Sequence, residues 1–195
     1  MLGCAAVAMW WDVAPAMRAE WEHWHSSEHM PERLAIPGFL RGTRWVARSG
    51  EPSYFVLYEV ADLATITSGA YLERLNNPTP WSRKMMPHHR NMVRSLCLVR
   101  DGYGGGIPSV MATVRLSGKI ELPREKGLTG AHLLESQPMP GAQTTEQKIR
   151  GADASADWIL LVGGYDAQAL APTPLPEGEV GFYVPAYSLS AGEIA

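Results

Sequence analysis

Residues 21–45, WEHWHSSEHMPERLAIPGFLRGTRW, contain the change of periodicity that organises the chain. Up to Ala35 the spacing is helical, with Met17, Trp21, Trp24, Pro31 and Ala35 on one face of a wheel turned by about 100° per residue. Pro37-Gly38 ends that helix, since proline cannot continue it and glycine accepts the backbone of a stop. From Phe39 the pattern alternates, placing Phe39, Arg41, Thr43, Trp45 and Ala47 on one side of a strand. Upstream, Pro15 suits the first turn of the helix, and Ala5–Val13 (AAVAMWWDV) is short and apolar enough for a buried strand. Downstream, a turn at residues 49–52 leads into Tyr54–Val60, so the two β-rich runs make a hairpin.

A polar helix over residues 68–76, a Pro-broken segment at 77–80, a short helix at 81–86 and a strand at 91–100 complete this half. The order β-α-β-β-α-β is the split βαβ arrangement of the ferredoxin-like fold. Residues 101–108, DGYGGGIP, read as a linker rather than a phosphate loop, because lysine and a strand-to-helix context are missing. Beyond it, strands at 109–116, 128–135, 158–163 and 180–189 trace the same order, but KIELPREKG (119–127) stands where a first helix should be. The expected fold class is therefore α+β: tandem ferredoxin-like repeats, 1–102 carrying the site and 107–195 a degenerate copy, with their bare sheet faces packed together. The Pro-rich stretch at 172–176 reads as a surface loop.

Glu28-His29-Met30-Pro31 followed by Ile36-Pro37-Gly38-Phe39, with GEPSYFVLYEV (50–60) and NNPTPWSRKMMPHHRNMVRSL (76–96), resembles the dimeric α/β-barrel superfamily. Within it the segment is similar to EthD-like and related bacterial proteins, over about residues 5–100. The resemblance implies a barrel formed inside one chain. It also implies a choice among the superfamily's activities: muconolactone isomerases, polyketide cyclases, cofactor-free monooxygenases and, in tandem forms, haem proteins.

Composition narrows the classes. The 195 residues are 46% hydrophobic and 19% charged, with a formal charge of -3, so an electrostatic nucleic-acid binder is not expected. Charges interrupt every apolar run before the ~18 residues of a membrane span. MLGCAAVAM lacks a basic leader and an apolar stretch before its cysteine, so no signal peptide is read there. Two cysteines, Cys4 and Cys97, are too few for a disulfide scaffold, and a reducing cytoplasm is expected. Five of six histidines and six of seven tryptophans precede residue 90, which puts the chemistry in the first half.

On the wheel Glu28 falls in the middle of the face that meets the sheet, His25 at its edge and His29 further round, while His23 faces solvent. A carboxylate between Trp21 and Trp24 is desolvated, which suits Glu28 to proton transfer; the alternative is a structural carboxylate satisfied by Arg41 or Arg44. His25-Ser26-Ser27-Glu28-His29 spells H-x-x-E-H, a zinc string, but no third ligand follows and Pro31 distorts the next turn, so no metal is expected. His88 and His89 precede the fourth strand, where an imidazole serves as general base or complements a helix dipole; His88 is taken as the base. Trp81 covers the cavity mouth, and Tyr58 can donate to a substrate carbonyl. Arg44 pairs with a substrate carboxylate or forms a salt bridge within the barrel. The candidate catalytic set is Glu28, His25, His29 and His88, and the binding set Trp21, Trp24, Arg44, Tyr58 and Trp81.

These readings give a small cofactor-independent enzyme doing acid–base chemistry of isomerase, cyclase or lyase type on a cyclic or aromatic metabolite. The alternative is a non-catalytic ligand binder or a cofactor-free monooxygenase-like protein. The expected partner is a small-molecule substrate, with no nucleic acid or membrane and room for a homo-oligomer. Haem is disfavoured because His132 is the sole imidazole of the second half. Elemental analysis of the purified protein should give no stoichiometric zinc. One zinc per chain, lost in His25→Ala, would reverse that reading.

Overall fold

The structure is a computed structural model; it describes residues 1–50, 52–138, 141–151 and 153–194. Glu51, in the turn expected at 49–52, lies outside the described residues. All eight expected strand segments form: β1 (Ala5–Val13), β2 (Phe39–Ala47), β3 (Tyr54–Val60), β4 (His89–Gly104), β5 (Val110–Leu116), β6 (Leu128–Gln137), β7 (Trp158–Gly164) and β8 (Glu179–Ser190).

Their arrangement overturns the expected fold class. The strands make one closed antiparallel barrel in the order β1-β3-β2-β8-β5-β7-β6-β4, not tandem ferredoxin-like repeats with two sheets packed face to face. Each half lays its strands fourth, first, third, second, but both outer edges of each half are consumed by the other. β4 pairs with β6 from Leu96↔Gln137 to Gly104↔Gly130, and β2 with β8 from Arg41↔Ser190 to Ala47↔Tyr183. The physical reason lies in β4. Residues 101–104, expected in the linker, extend that strand far enough to reach β6, and Gly104 (φ 75°) lets the backbone approach Thr129 where a Cβ would stand 2.1 Å from its carbonyl oxygen. Closure gives every one of these strands a partner on both sides.

Helices among the described residues are short: α1 (Arg18–Trp24), α2 (Met30–Leu34), α3 (Gly69–Asn76), α4 (Pro80–Met85), α5 (Thr145–Arg150) and α6 (Ala167–Leu170). The longest of them has 8 residues, so none is long and apolar enough to cross a membrane.

Alternation along β1 shows where the side chains go. Ala6, Ala8 and Trp10 join a cluster that fills the lumen; Ala5, Val7, Met9, Trp11 and Val13 face the helices outside. The lumen is plugged by aromatics: Trp10 stacks on Phe55 at 4.9 Å and Phe55 meets Tyr183 at 5.7 Å. The Trp10 indole N–H donates to Thr113 Oγ1 at 3.1 Å, tying the plug to β5. A separate apolar cluster on the outside of the second half packs under Leu170 of α6.

One helix crosses between halves. α5 begins with a capping box at Thr144 and Gln147, and its Ile149 packs on the outer core of the first half. Its Glu146 accepts from Arg33 of α2, both almost fully buried, while Thr145 N–H reaches Asn76 Oδ1 at 3.0 Å. Arg150 adds a bidentate pair to Asp153 at 2.9 and 2.6 Å. Breaking a buried pair strands a desolvated charge, so Glu146→Gln should cost roughly 3 kcal/mol or more. Urea denaturation checks this; a loss under about 1 kcal/mol would show that α5 is not anchored by the pair.

Candidate functional site

The helix expected over residues 15–35 is broken into pieces, and the break holds the histidines. Between α1 and α2, His25–His29 form one π-turn, in which the Met30 N–H bonds the His25 carbonyl rather than that of Ser26. Pro31 has no N–H to give to the preceding turn, which weakens the α-helical ladder where the wider turn sits. One extra residue in the turn rotates the side chains beyond it, so the wheel computed for an unbroken helix misplaces the charged groups.

Glu28 faces α4 rather than the sheet. Its Oε1 accepts from Thr79 Oγ1 at 2.6 Å, Trp24 Nε1 at 3.1 Å and Ser82 Oγ at 3.5 Å. Thr79 is also the N-cap of α4, so this carboxylate ties the π-turn to the start of that helix. His25, in contrast, is 2% exposed and lies over the sheet, its ring stacked on Trp21 at 4.8 Å. His29 meets the Trp24 ring at 4.5 Å and His25 at 5.6 Å.

The sheet supplies the opposite wall. Trp11, Arg44, Tyr54 and Tyr58 share the outer face because β1, β2 and β3 pair in register: Trp11 opposite Tyr54, Val46 opposite Tyr54, Gly42 opposite Tyr58. Gly42 is required there, since a Cβ would stand 2.8 Å from the Tyr58 ring and 3.1 Å from Met30. The Arg44 guanidinium donates to the Glu22 carbonyl at 3.1 Å and reaches His25 Nδ1 at 3.4 Å, 5.7 Å from the rings of Trp21 and Tyr187. Tyr187 comes from β8, paired opposite Arg44.

His89 completes the layer. It accepts from Trp21 Nε1 at 3.0 Å and donates through Nδ1 to the Met86 carbonyl at 3.0 Å, a tautomer assigned from these partners. Its ring lies 5.2 Å from that of Trp11. His88 does not join it but sits nearer Glu20, which pairs with Lys84 at the surface. Trp81, half-buried at the edge of the outer core, packs on His23 with 5.3 Å between rings.

Desolvation lowers all three imidazoles, His25 fully enclosed and His29 and His89 half-buried. His25 and His29 are driven well below the ordinary range by desolvation, with Arg44 opposing protonation of His25 and Arg33 that of His29. His89 is pushed down to about 3 by burial. Burial raises the Tyr58 hydroxyl, and burial with the bond to Glu22 raises that of Tyr54. Both stay protonated donors.

Four polar atoms in this layer are buried without a hydrogen-bond partner: Trp11 Nε1, His29 Nδ1, Arg44 Nε and Tyr58 OH. Native structures rarely strand such atoms, at about 1–3 kcal/mol each, unless water or a ligand meets them. Among the described residues no three His, Cys, Asp or Glu side chains are placed to hold a metal ion. His132 lies across the barrel, its Nε2 3.2 Å from the Met1 amine.

The structure thus brings together His25, His29, Trp21, Trp24, Arg44 and Tyr58, turns Glu28 to α4, and leaves His88 and Trp81 outside. His89, weighed beside His88 in the sequence, joins the layer, as do Trp11 and Arg33, which the sequence did not single out. Alternation in AAVAMWWDV was the available signal for Trp11, and T-x-x-Q before Ile149 was that for α5.

No protein-family model and no curated protein matches the sequence. Solved structures do match the fold. An anthrone oxidase-like protein superposes with a TM-score of 0.61 at 10% identity, over 98% of this chain and 94% of that one. A proposed monooxygenase from Lactobacillus acidophilus NCFM gives 0.54 at 9% identity, over 97% of each chain. A further proposed monooxygenase, from Fusobacterium nucleatum, gives 0.51 at 6%, over 97% and 96%. At these identities the likeness is one of fold.

The depressed imidazoles fix a pH dependence. An unfolded histidine titrates near 6.5, so the stability each buried neutral ring contributes is full above that pH and is lost as pH falls toward the folded value. Between pH 7.5 and 5.5 the unfolding free energy should drop, by about 1.4 kcal/mol for the fully enclosed His25 and by less for the half-buried His29 and His89. Urea titrations across that range test it, and a flat or rising profile would contradict the buried neutral state.

Proposed function

We propose that this protein is a small-molecule oxygenase of the cofactor-independent kind, acting on a flat aromatic carbon acid held in the histidine–tryptophan layer. The observation that carries the reading is the set of four unpartnered polar atoms, Trp11 Nε1, His29 Nδ1, Arg44 Nε and Tyr58 OH, in one aromatic-walled layer. Such a layer offers an apolar surface carrying a few polar groups, as small-molecule sites do. The monooxygenase and anthrone oxidase-like neighbours support the same reaction class.

The chemistry follows from the charges. His29 is the base: its Nδ1, without a hydrogen-bond partner, is open to take a proton from an acidic carbon beside a carbonyl. Loss of that proton puts negative charge on the carbonyl oxygen, where Arg44 Nε–H and Tyr58 O–H donate to it. The cations that oppose protonation of His25 and His29 attract the enolate once it forms. The electron-rich carbanion then reduces dioxygen at the same carbon. With anthrone the balance is C14H10O + O2 → C14H8O2 + H2O: the CH2 carbon becomes C=O, and the two hydrogens leave with one oxygen atom as water. Glu28 acts as a positioning residue, holding against α4 the π-turn that carries His29.

Oxygen uptake with anthrone as the probe tests this. Turnover should be measurable in the wild type and fall by roughly two to four orders of magnitude in His29→Gln, the usual worth of a general base, with the fold intact by circular dichroism. Glu28→Gln should lower stability more than rate per folded molecule. Anthrone oxidation no faster than the buffer blank, or equal in His29→Gln, would overturn the reading.

A further inference from the structure

His89 has a second face. It lines an open groove of about 560 Å³ at one end of the barrel, together with Asp12, Asn91, Arg115, Arg150 and Glu179. The groove is amphipathic, since Pro52, Met92 and Val93 also line it. Its carboxylates and cations are not equally committed. Asp12 accepts from the Ser53 amide at 2.7 Å, the Ser53 hydroxyl at 2.8 Å and Asn91 Nδ2 at 3.3 Å. Arg150 is engaged by Asp153 and, at 3.7 Å, by Glu146.

Arg115 is different. Its guanidinium is held in place over the Trp10 ring, 5.5 Å from the centroid, on an indole itself fixed by Thr113. Its carboxylate partner is Glu179, opposite it on β8, whose side chain is 73% exposed while that of Arg115 is 17% exposed. An exposed partner contributes little and can be displaced at small cost, whereas a pre-oriented guanidinium is a strong receptor for a carboxylate. Beside it the backbone is strained: Asn91 stands at φ 54°, next to an irregularity in the β1–β4 register between Trp10 and Asp12.

We propose that this groove is a carboxylate subsite, in which the acid group of a small aromatic or alicyclic carboxylate displaces Glu179 on Arg115 and its ring lies on the apolar floor toward His89. The subsite is a matter of binding alone; that its occupant is the substrate rests on the oxygenase reading above. Glu179 then acts as an internal competitor, occupying the cation until a ligand carboxylate replaces it.

Calorimetric titration with benzoate, and with benzyl alcohol as the uncharged control, tests the proposal in the full-length protein. Benzoate should bind saturably and benzyl alcohol should not. Glu179→Gln removes the competitor and should tighten benzoate by about 2- to 5-fold, whereas Arg115→Gln should weaken it at least about 10-fold. The opposite signs keep the test decisive even if one variant is unstable. His29→Gln should bind benzoate as the wild type does, so loss of anthrone turnover with retained benzoate binding separates failure of the oxygenase reading from failure of the subsite. No saturable benzoate binding, equal binding of benzyl alcohol, an unchanged affinity in Arg115→Gln, or no tightening in Glu179→Gln would each overturn it.

Discussion

Closure of the barrel is the constraint on which everything else depends. An antiparallel sheet of four strands exposes two rows of unpaired backbone groups, and each half of this chain satisfies its rows on the other half, β4 on β6 and β2 on β8. Once closed, the sheet has an inside and an outside with different duties. The inside holds packed aromatic and aliphatic side chains.

In the outer layer the sheet provides rigidity and the π-turn provides polarity. Strands β1, β2 and β3 hold Trp11, Arg44 and Tyr58 at fixed spacing, while the turn brings His25 onto Trp11 and Arg44 and His29 beside it. The second half is not a bystander. It sends Tyr187 over Arg44 and α5 against α2, so the layer is built from both ends of the sequence.

Much of this was legible in the residues. Strand periodicity located all eight strands, because alternation and apolar content survive any choice of partner. Pairing was not legible: a glycine-rich run such as DGYGGG reads as a linker by composition, and only the register with β6 shows four of its residues to be strand. The crowding of Trp and His before residue 90 pointed to the same layer, yet a helical wheel presumes one uniform turn. At His25–His29 the turn is wider, which sends Glu28 to Thr79 and leaves His25 over the sheet. The choice between His88 and His89 was settled by a strand start, since His89 is the first residue of β4 and hydrogen-bonds Trp21. α5 was missed because six residues are too few for periodicity to register.

Trp10 has two roles that meet in one ring. It is the centre of the lumen plug, stacked on Phe55, and it is also the platform under Arg115 at the barrel's end. The packing of the interior and the placement of that cation thus share one ring. Anything that settles Arg115 also settles the plug, and by reciprocity a looser plug blurs the aim of the guanidinium. Both side chains stand on the inner face of the barrel, Arg115 by alternation with the outward Val114 and Leu116, so the contact runs along the lumen to its mouth.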